Sequence, residues 1–376
     1  MAYGSISVDQ INNTTGYSLG AGNASIMKNR IINGAMVIDQ RNAGASYTAT
    51  TANGYCLDRW QTNSSVSSKY TVQQNAGSVT PPVGFPNYLG VTSSAATTVA
   101  SGDYYYLTQC IEGFNFADLS WGTASAKPIV LSFQVYSSLT GTFGGALQNG
   151  TQARSYPFTY SVPVANTWTT ISITVAGDTS GTWIGNTNGL ALYLSFGLGV
   201  GSTYSGTAGS WATANYLSAT GGTNVVSTNG ATFYITGVQL EVGSSATGFE
   251  YRQYQQELAL CQRYCQYISG TGAYCNYGIG FCYTTVAGTF DIPFVTSMRT
   301  APSVTTTATA SNYAIYTGSN SIIACSTLPV IDANSYNSSN SIRVTAGVAS
   351  GLTAGNGGLL LSNNNTTSYI LLSAEL

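Results

Sequence analysis

The chain has 376 residues, of which 11 are Lys or Arg and 13 are Asp or Glu, so 6% are charged and the formal net charge is −2; an average soluble domain is roughly 25% charged. That excludes a basic footprint for nucleic acid and a polybasic membrane patch, while 43% hydrophobic and 12% aromatic residues exclude a non-folding polar chain. Histidine is absent, which removes Ser/His and Cys/His nucleophile pairs, His-containing zinc sites, and any side chain that titrates near neutrality unaided.

At the amino end, Met1 to Gln10 (MAYGSISVDQ) has neither a basic region nor an apolar core of the secretory kind. The stretch to about Ser46 holds too few large apolar residues for a core of its own, and Met27 to Asp39 reads as a turn followed by one strand that orders only against something else. The central region reads as strands. Ile129, Leu131, Phe133 and Val135 alternate with Val130, Ser132, Gln134 and Tyr136; Ile171, Ile173 and Val175 alternate with Ser172 and Thr174; Leu190, Leu192, Leu194 and Phe196 repeat the pattern. Phe233 and Ile235, then Val238, Leu240 and Val242, change register near Gly237 as a bulge requires. Gly141 to Thr151 and Gly199 to Gly209 read as turn-rich loops between such strands. Together these predict an antiparallel β-sandwich, specifically a jelly roll.

All five tryptophans lie between residues 60 and 211, and none follows Gly270, which marks a boundary between two β-domains. Between them Gln253 to Tyr267 carries Tyr254, Leu258, Cys261 and Cys265 at helical spacing, a linker or packing helix. The terminal part predicts thinner strands at Phe290 to Val295, Asn312 to Tyr316, Ser321 to Cys325, Ser341 to Val344, Gly358 to Leu361 and Ser368 to Leu372. The most apolar stretch, Leu190 to Val200, is broken by Gly197 and Gly199 and is too short to cross a bilayer as a helix. The seven cysteines are irregularly spaced and read as small buried hydrophobes; Cys261, Cys265, Cys275 and Cys282 do not have the spacing of a zinc knuckle.

Several motifs occur in a telling order: NRIINGAMVIDQRNAG from Asn29, YCLDRW from Tyr55, IEGFNFADLSWGTASAKP from Ile111, AGDTSGTW from Ala176, ITGVQLEVG, and FEYRQYQQELALCQRY from Phe249. With IPF at Ile292, MRTAPSV from Met298 and a closing SAEL, the chain resembles bacteriophage tail-fibre and related virion proteins over nearly its full length. The central domain is also similar in pattern to jelly-roll carbohydrate-binding modules. The resemblance implies an all-β chain of four parts: a virion-attachment segment (1–48) with Ile31, Ile32 and Met36 as its contacts, a jelly-roll-like sandwich (49–252), a linker helix (253–270) and a small terminal β-domain (271–376). It further implies a homotrimer in the phage particle, synthesised in the bacterial host cytoplasm, that docks on other virion proteins by its amino terminus, recognises a host-surface glycan, and has no catalytic residue or cofactor. Nucleic acid and membrane are not expected partners.

Glycan platforms are expected at Trp183, Tyr204 and Trp211, which sit in or beside Gly/Ser-rich stretches where a ring face can meet a pyranose; the competing reading places them in the core or at a subunit interface. Tyr104, Tyr105 and Tyr106 must point to both faces of a strand, so at least one faces outward. Glu112 and Asp118 could pair as acid and base across a glycosidic bond, or with Asp178 bind calcium, but read better as turn and capping residues. Two rival functions follow: a capsid decoration or head-fibre protein, and a glycan depolymerase.

Overall fold

The structure is a computed structural model that describes residues 27–270, 272–318, 321–333 and 337–376. It is all-β apart from one helix and short 3-10 turns, and it divides into two compact units between Tyr254 and Gln255.

The first unit is a sandwich of two six-stranded sheets. In hydrogen-bonded order the first sheet runs Tyr47–Thr48, Tyr70–Gln74, Leu89–Ser93, Thr232–Val242, Ile129–Ser137 and Thr169–Val175. The second runs Tyr55–Leu57, Trp60–Ser64, Tyr104–Glu112, Leu190–Val200, Gly141–Asn149 and Ser155–Val162. Neighbours within both are antiparallel. The alternation read from sequence sets the inward face: Ile129, Leu131, Phe133 and Val135 are buried, and the Phe133 ring meets Phe196 of the opposite sheet with centroids 5.1 Å apart. Each such side chain contributes roughly 1.5–3 kcal/mol by leaving water. The expected bulge is present: Gly237 has φ +61°, and the ladder to Ile129–Ser137 shifts between Thr236 and Gln239.

Two expectations for this unit are corrected. Gly141 to Asn149 is not a loop but an interior strand of the second sheet. Its glycines serve close approach rather than turning, since a Cβ on Gly145 would stand 2.3 Å from the Ser195 carbonyl oxygen and 2.4 Å from the Phe158 ring. The second correction concerns the supposed attachment segment, whose residues 1–26 lie outside the described residues. Ile31 and Met36 are fully buried in the sandwich core, and Ile32 is buried beside them. The segment has no separate core because it shares this one. Its backbone is matched to the sheet by side chains: Ile32 N–H donates to Gln109 Oε1 at 3.0 Å, and Gln109 Nε2 donates back to the Ile32 carbonyl at 2.9 Å. The Asn33 amide donates to the Ile38 and Asp58 carbonyls, and the Trp60 indole donates to the Asn33 carbonyl at 3.1 Å. Ile31, Ile32 and Met36 therefore offer no docking surface.

The second unit holds a three-stranded sheet (Cys265–Ser269, Tyr369–Ser373, Ser303–Thr306) and a seven-stranded sheet in the order Ser321–Ala324, Tyr313–Thr317, Gly357–Ser362, Asn276–Cys282, Ala287–Pro293, Ser341–Gly347, Val330–Ile331. Phe290, Ile292, Tyr313, Val344, Leu360 and Leu372 are the centre of its core. The linker helix is shorter than expected: it spans Tyr254–Gln262, and Cys265 already pairs with Ser373. Strand pairing overrides the helical spacing there, so the stripe is not realised; Tyr254 is exposed, Cys261 is buried, and Cys265 sits in the sheet. Six of the seven cysteines are buried, and burial pushes the Cys56 and Cys325 thiols up to about 12.

Ile31→Ala is expected to cost about 2–5 kcal/mol, as a large-to-small change in a packed core does. Urea unfolding followed by tryptophan fluorescence checks this; an unchanged midpoint would return Ile31 to the surface.

Candidate functional site

Trp183 and Trp211 come together, with Trp121 and Phe116, in one aromatic cluster. Centroids lie 4.8 Å apart for Trp121–Trp183, 5.1 Å for Trp121–Trp211 and 5.4 Å for Trp183–Trp211, and Phe116 stacks on Trp183 at 5.5 Å. Each indole N–H is engaged within the protein: Trp121 on the Lys127 carbonyl, Trp211 on the Ala176 carbonyl, and Trp183 on the Ser180 carbonyl and Asp178. Asp178 in turn holds Arg154 through two hydrogen bonds of 2.8 and 2.6 Å, and Arg154 reaches Thr213 at 3.0 Å. That bidentate pair raises the Arg154 pKa, although burial opposes it. The cluster thus ties the loop around Asp178 to the loop around Trp211. Trp183 and Trp211 are half-buried against the main core, so packing fixes them.

Among the described residues, the three carboxylates singled out in the sequence have separate settings. Asp118, in a 3-10 turn, pairs with Arg30 at 2.7 Å; Asp178 belongs to Arg154; Glu112 is buried at the end of its strand. Among the described residues no group of three or more His, Cys, Asp or Glu is placed to hold a metal ion.

Tyr204 lies elsewhere, on the outward face of the second sheet. Tyr105 points into the core, which turns its neighbours Tyr104 and Tyr106 outward. The register places Asn63 opposite Tyr106, Gln61 opposite Thr108, and Tyr193 opposite Cys110, all on this face. Tyr204 meets Tyr104 edge-to-face at 5.5 Å, and Tyr104 meets Tyr106 at 5.8 Å. The loop of residues 201–222 that carries Tyr204 lies across the sheet. Its Ser205–Gly206 and Ser218–Ala219 segments pair with each other, and Asn215 accepts a 2.6 Å bond from Gln148. It can lie flat because Gly144 and Gly197 stand beneath it; a Cβ on either would come within 2.5 or 2.6 Å of the Ser218 hydroxyl. The result is a tyrosine face with one loop wall and an amide-bearing floor on the Trp60–Ser64 strand.

Burial, helped by neighbouring Tyr104 and Tyr193, pushes the Tyr106 phenol well above its ordinary value. Burial and adjacent Cys110 push Tyr193 up to about 12. Both rings are neutral hydrogen-bonding groups at any ordinary pH. Tyr193, Asn63 and Gln61 were missed in the sequence because their membership depends on inter-strand register; the triple tyrosine was the signal available.

No protein-family model matches the chain, and no curated protein matches it in sequence. Among solved structures the chain has remote likenesses. The enzymatically active domain of bacteriophage CBA120 tailspike protein 4 is 13% identical, with a TM-score of 0.31 over 57% of this chain and 22% of that one; this chain therefore spans about a fifth of that structure. The family 11 carbohydrate-binding module of a Clostridium thermocellum cellulosomal cellulase is 13% identical, covering 55% of this chain and 100% of that one with a TM-score of 0.26. TmCBM61 in complex with β-1,4-galactotriose is 10% identical, covering 49% and 88% with a TM-score of 0.25. At this distance none of the three assigns an activity.

Asp178→Asn leaves the Arg154 guanidinium, largely buried at 14% side-chain exposure, without its charge partner. A loss of about 3–5 kcal/mol is expected, read as a lower thermal midpoint by calorimetry.

Proposed function

We propose that the sandwich recognises a glycan on its tyrosine face, in a non-enzymatic virion structural protein that acts as a homotrimeric tail fibre or adhesin on host-surface polysaccharide. The observation that carries the glycan reading is the gathering of half-buried Tyr104, Tyr193 and Tyr204 around buried Tyr106 on one sheet face among uncharged partners. Ring faces stack on the C–H face of a pyranose, and amide and hydroxyl groups such as those of Gln61 and Tyr104 read its hydroxyls. None of these groups is charged, which suits an uncharged sugar.

The virion reading rests on the order of the motifs from Asn29 to Tyr264. A chain with so few charges has little with which to guard its strand edges, and association with identical copies is a common way to cover them. Three copies on one particle would gain affinity through effective concentration, without a tight single contact. Attachment to other virion proteins falls to a surface other than Ile31, Ile32 and Met36, which the core occupies.

Labelled protein should bind intact host cells saturably and lose that binding when surface polysaccharide is stripped; equal binding to stripped cells would sink the glycan reading. Light scattering at micromolar concentration tests the trimer, and a stable monomer would remove it. Tyr104→Ala and Tyr204→Ala should each weaken binding about tenfold, about 1.4 kcal/mol, with little change in melting temperature. Because the raised pKa values keep Tyr106 and Tyr193 protonated, their contribution is fully present at low pH and declines only as pH rises through the folded-state values, near 12 for Tyr193. Affinity should therefore be flat between about pH 5 and pH 9, measured by titration calorimetry.

A further inference from the structure

The opposite sheet of the same sandwich carries a separate cavity of about 440 Å³, within the roughly 300–1,000 Å³ typical of small-ligand sites. One side is aromatic. Phe85, Phe249 and Tyr251 form a mutually packed triad with centroid separations of 5.1, 5.5 and 4.9 Å. The other side is polar: Ser132 and Gln134 project from the Ile129–Ser137 strand, and Thr170 and Ser172 from Thr169–Val175. Gln134 and Thr170 hold each other at 2.9–3.1 Å.

The Gly237 bulge makes the cavity possible. A Cβ there would meet the Phe85 ring at 2.6 Å, so the bulge both seats the ring and turns the strand beneath it. The loop bearing Phe249 and Tyr251 is fixed from behind. Lys28 Nζ donates to the Thr247 hydroxyl and, at 2.8 Å, to the Gly248 carbonyl, while Glu241 accepts from Thr247 N–H at 2.8 Å and from its hydroxyl at 2.6 Å. Glu250 accepts from Asn29 N–H at 2.7 Å, and its own N–H donates to Gln239 at 2.8 Å. The charges lie in this support, and no residue lining the cavity is charged.

We infer that this cavity is a second carbohydrate site, taking one uncharged pyranose against the Phe85–Phe249–Tyr251 triad with its hydroxyls toward Ser132, Gln134, Thr170 and Ser172. An apolar peptide would cover the Ser132 and Ser172 hydroxyls and the remaining amide valences of Gln134 without replacing their water, and an acidic sugar would find no cation. The loop is held in place before binding, so little ordering cost is left to the ligand.

The test is calorimetric titration of the full chain with maltotriose, cellotriose and mannotriose, and with trigalacturonate as the acidic comparison. The titrations are run in the wild type and in a Tyr104→Ala, Tyr204→Ala background; the tyrosine face is read from the binding that this pair of substitutions weakens, and the cavity from the binding that it leaves unchanged. At least one uncharged trisaccharide should bind with a Kd below about 10 mM, more tightly than trigalacturonate. Adding Tyr251→Ala, at a residue that is 58% exposed, should weaken it at least about tenfold with an unchanged melting temperature. Thr170→Arg, which fills the cavity from an exposed sheet position, should abolish it. Failure of all three neutral sugars to bind, binding that survives both substitutions, or equal affinity for trigalacturonate would each overturn the inference.

Discussion

In a pleated sheet successive side chains face opposite ways, and in this sandwich one face of each sheet is committed to a shared core. Trp60, Tyr105, Leu107, Phe133, Val135 and Phe196 occupy inward positions, and a slip of one residue would turn such a set into water. Register is therefore fixed by the core, and every residue between the core positions is turned outward whatever its chemistry. That places Tyr104 and Tyr106 beside Asn63 on one outer face, and Ser132 and Gln134 beside Thr170 and Ser172 on the other. What each outer face presents to solvent is what remains after the core has taken its half of the sequence.

Scarcity of charge shapes where the few ion pairs go. Arg154–Asp178 joins the two loops that carry Trp183 and Trp211, and Lys28 with Glu241 fixes the turn before Phe249. In both cases a charged pair positions a loop and leaves the neighbouring surface neutral. Salt at physiological strength screens exposed charges over about 8 Å, so faces built from tyrosine, amide and hydroxyl keep their affinity where ionic recognition would lose it. The amino-terminal segment belongs to the same economy: residues 28–33 supply Lys28, Asn29 and buried Ile31 to the sandwich.

Much of the strand pattern was legible, because burial on one face writes period two into the sequence. Ile129, Ile171, Leu190 and Phe233 each lie in or begin a strand where alternation placed one, and Gly237 is the bulge that the change of phase required. What stayed hidden depended on distant partners. Gly141 to Asn149 looks like a loop until Ser195 and Phe158 are seen pressing on Gly145. Ile31 and Met36 look unpartnered until the core supplies partners far along the chain. Trp183 and Trp211 stand in glycine-rich stretches yet are drawn together by their indole N–H acceptors and by Trp121. Phe85, Gln134, Thr170 and Tyr251 come from four separate segments, and no local pattern joins them.

Two outward faces on one sandwich impose a geometry on any ligand. Stacked sheets stand about 10 Å apart, with the core filling the space, so the tyrosine face and the Phe85–Phe249–Tyr251 cavity point away from each other. A short oligosaccharide cannot occupy both at once. Occupancy of both would instead join two glycan chains, or two stretches of one long chain, through a single rigid body. The second contact is then made at an effective concentration set by the glycan's own flexibility. On the proposed reading, two weak sites on each copy hold a dense polysaccharide coat strongly and a sparse one weakly.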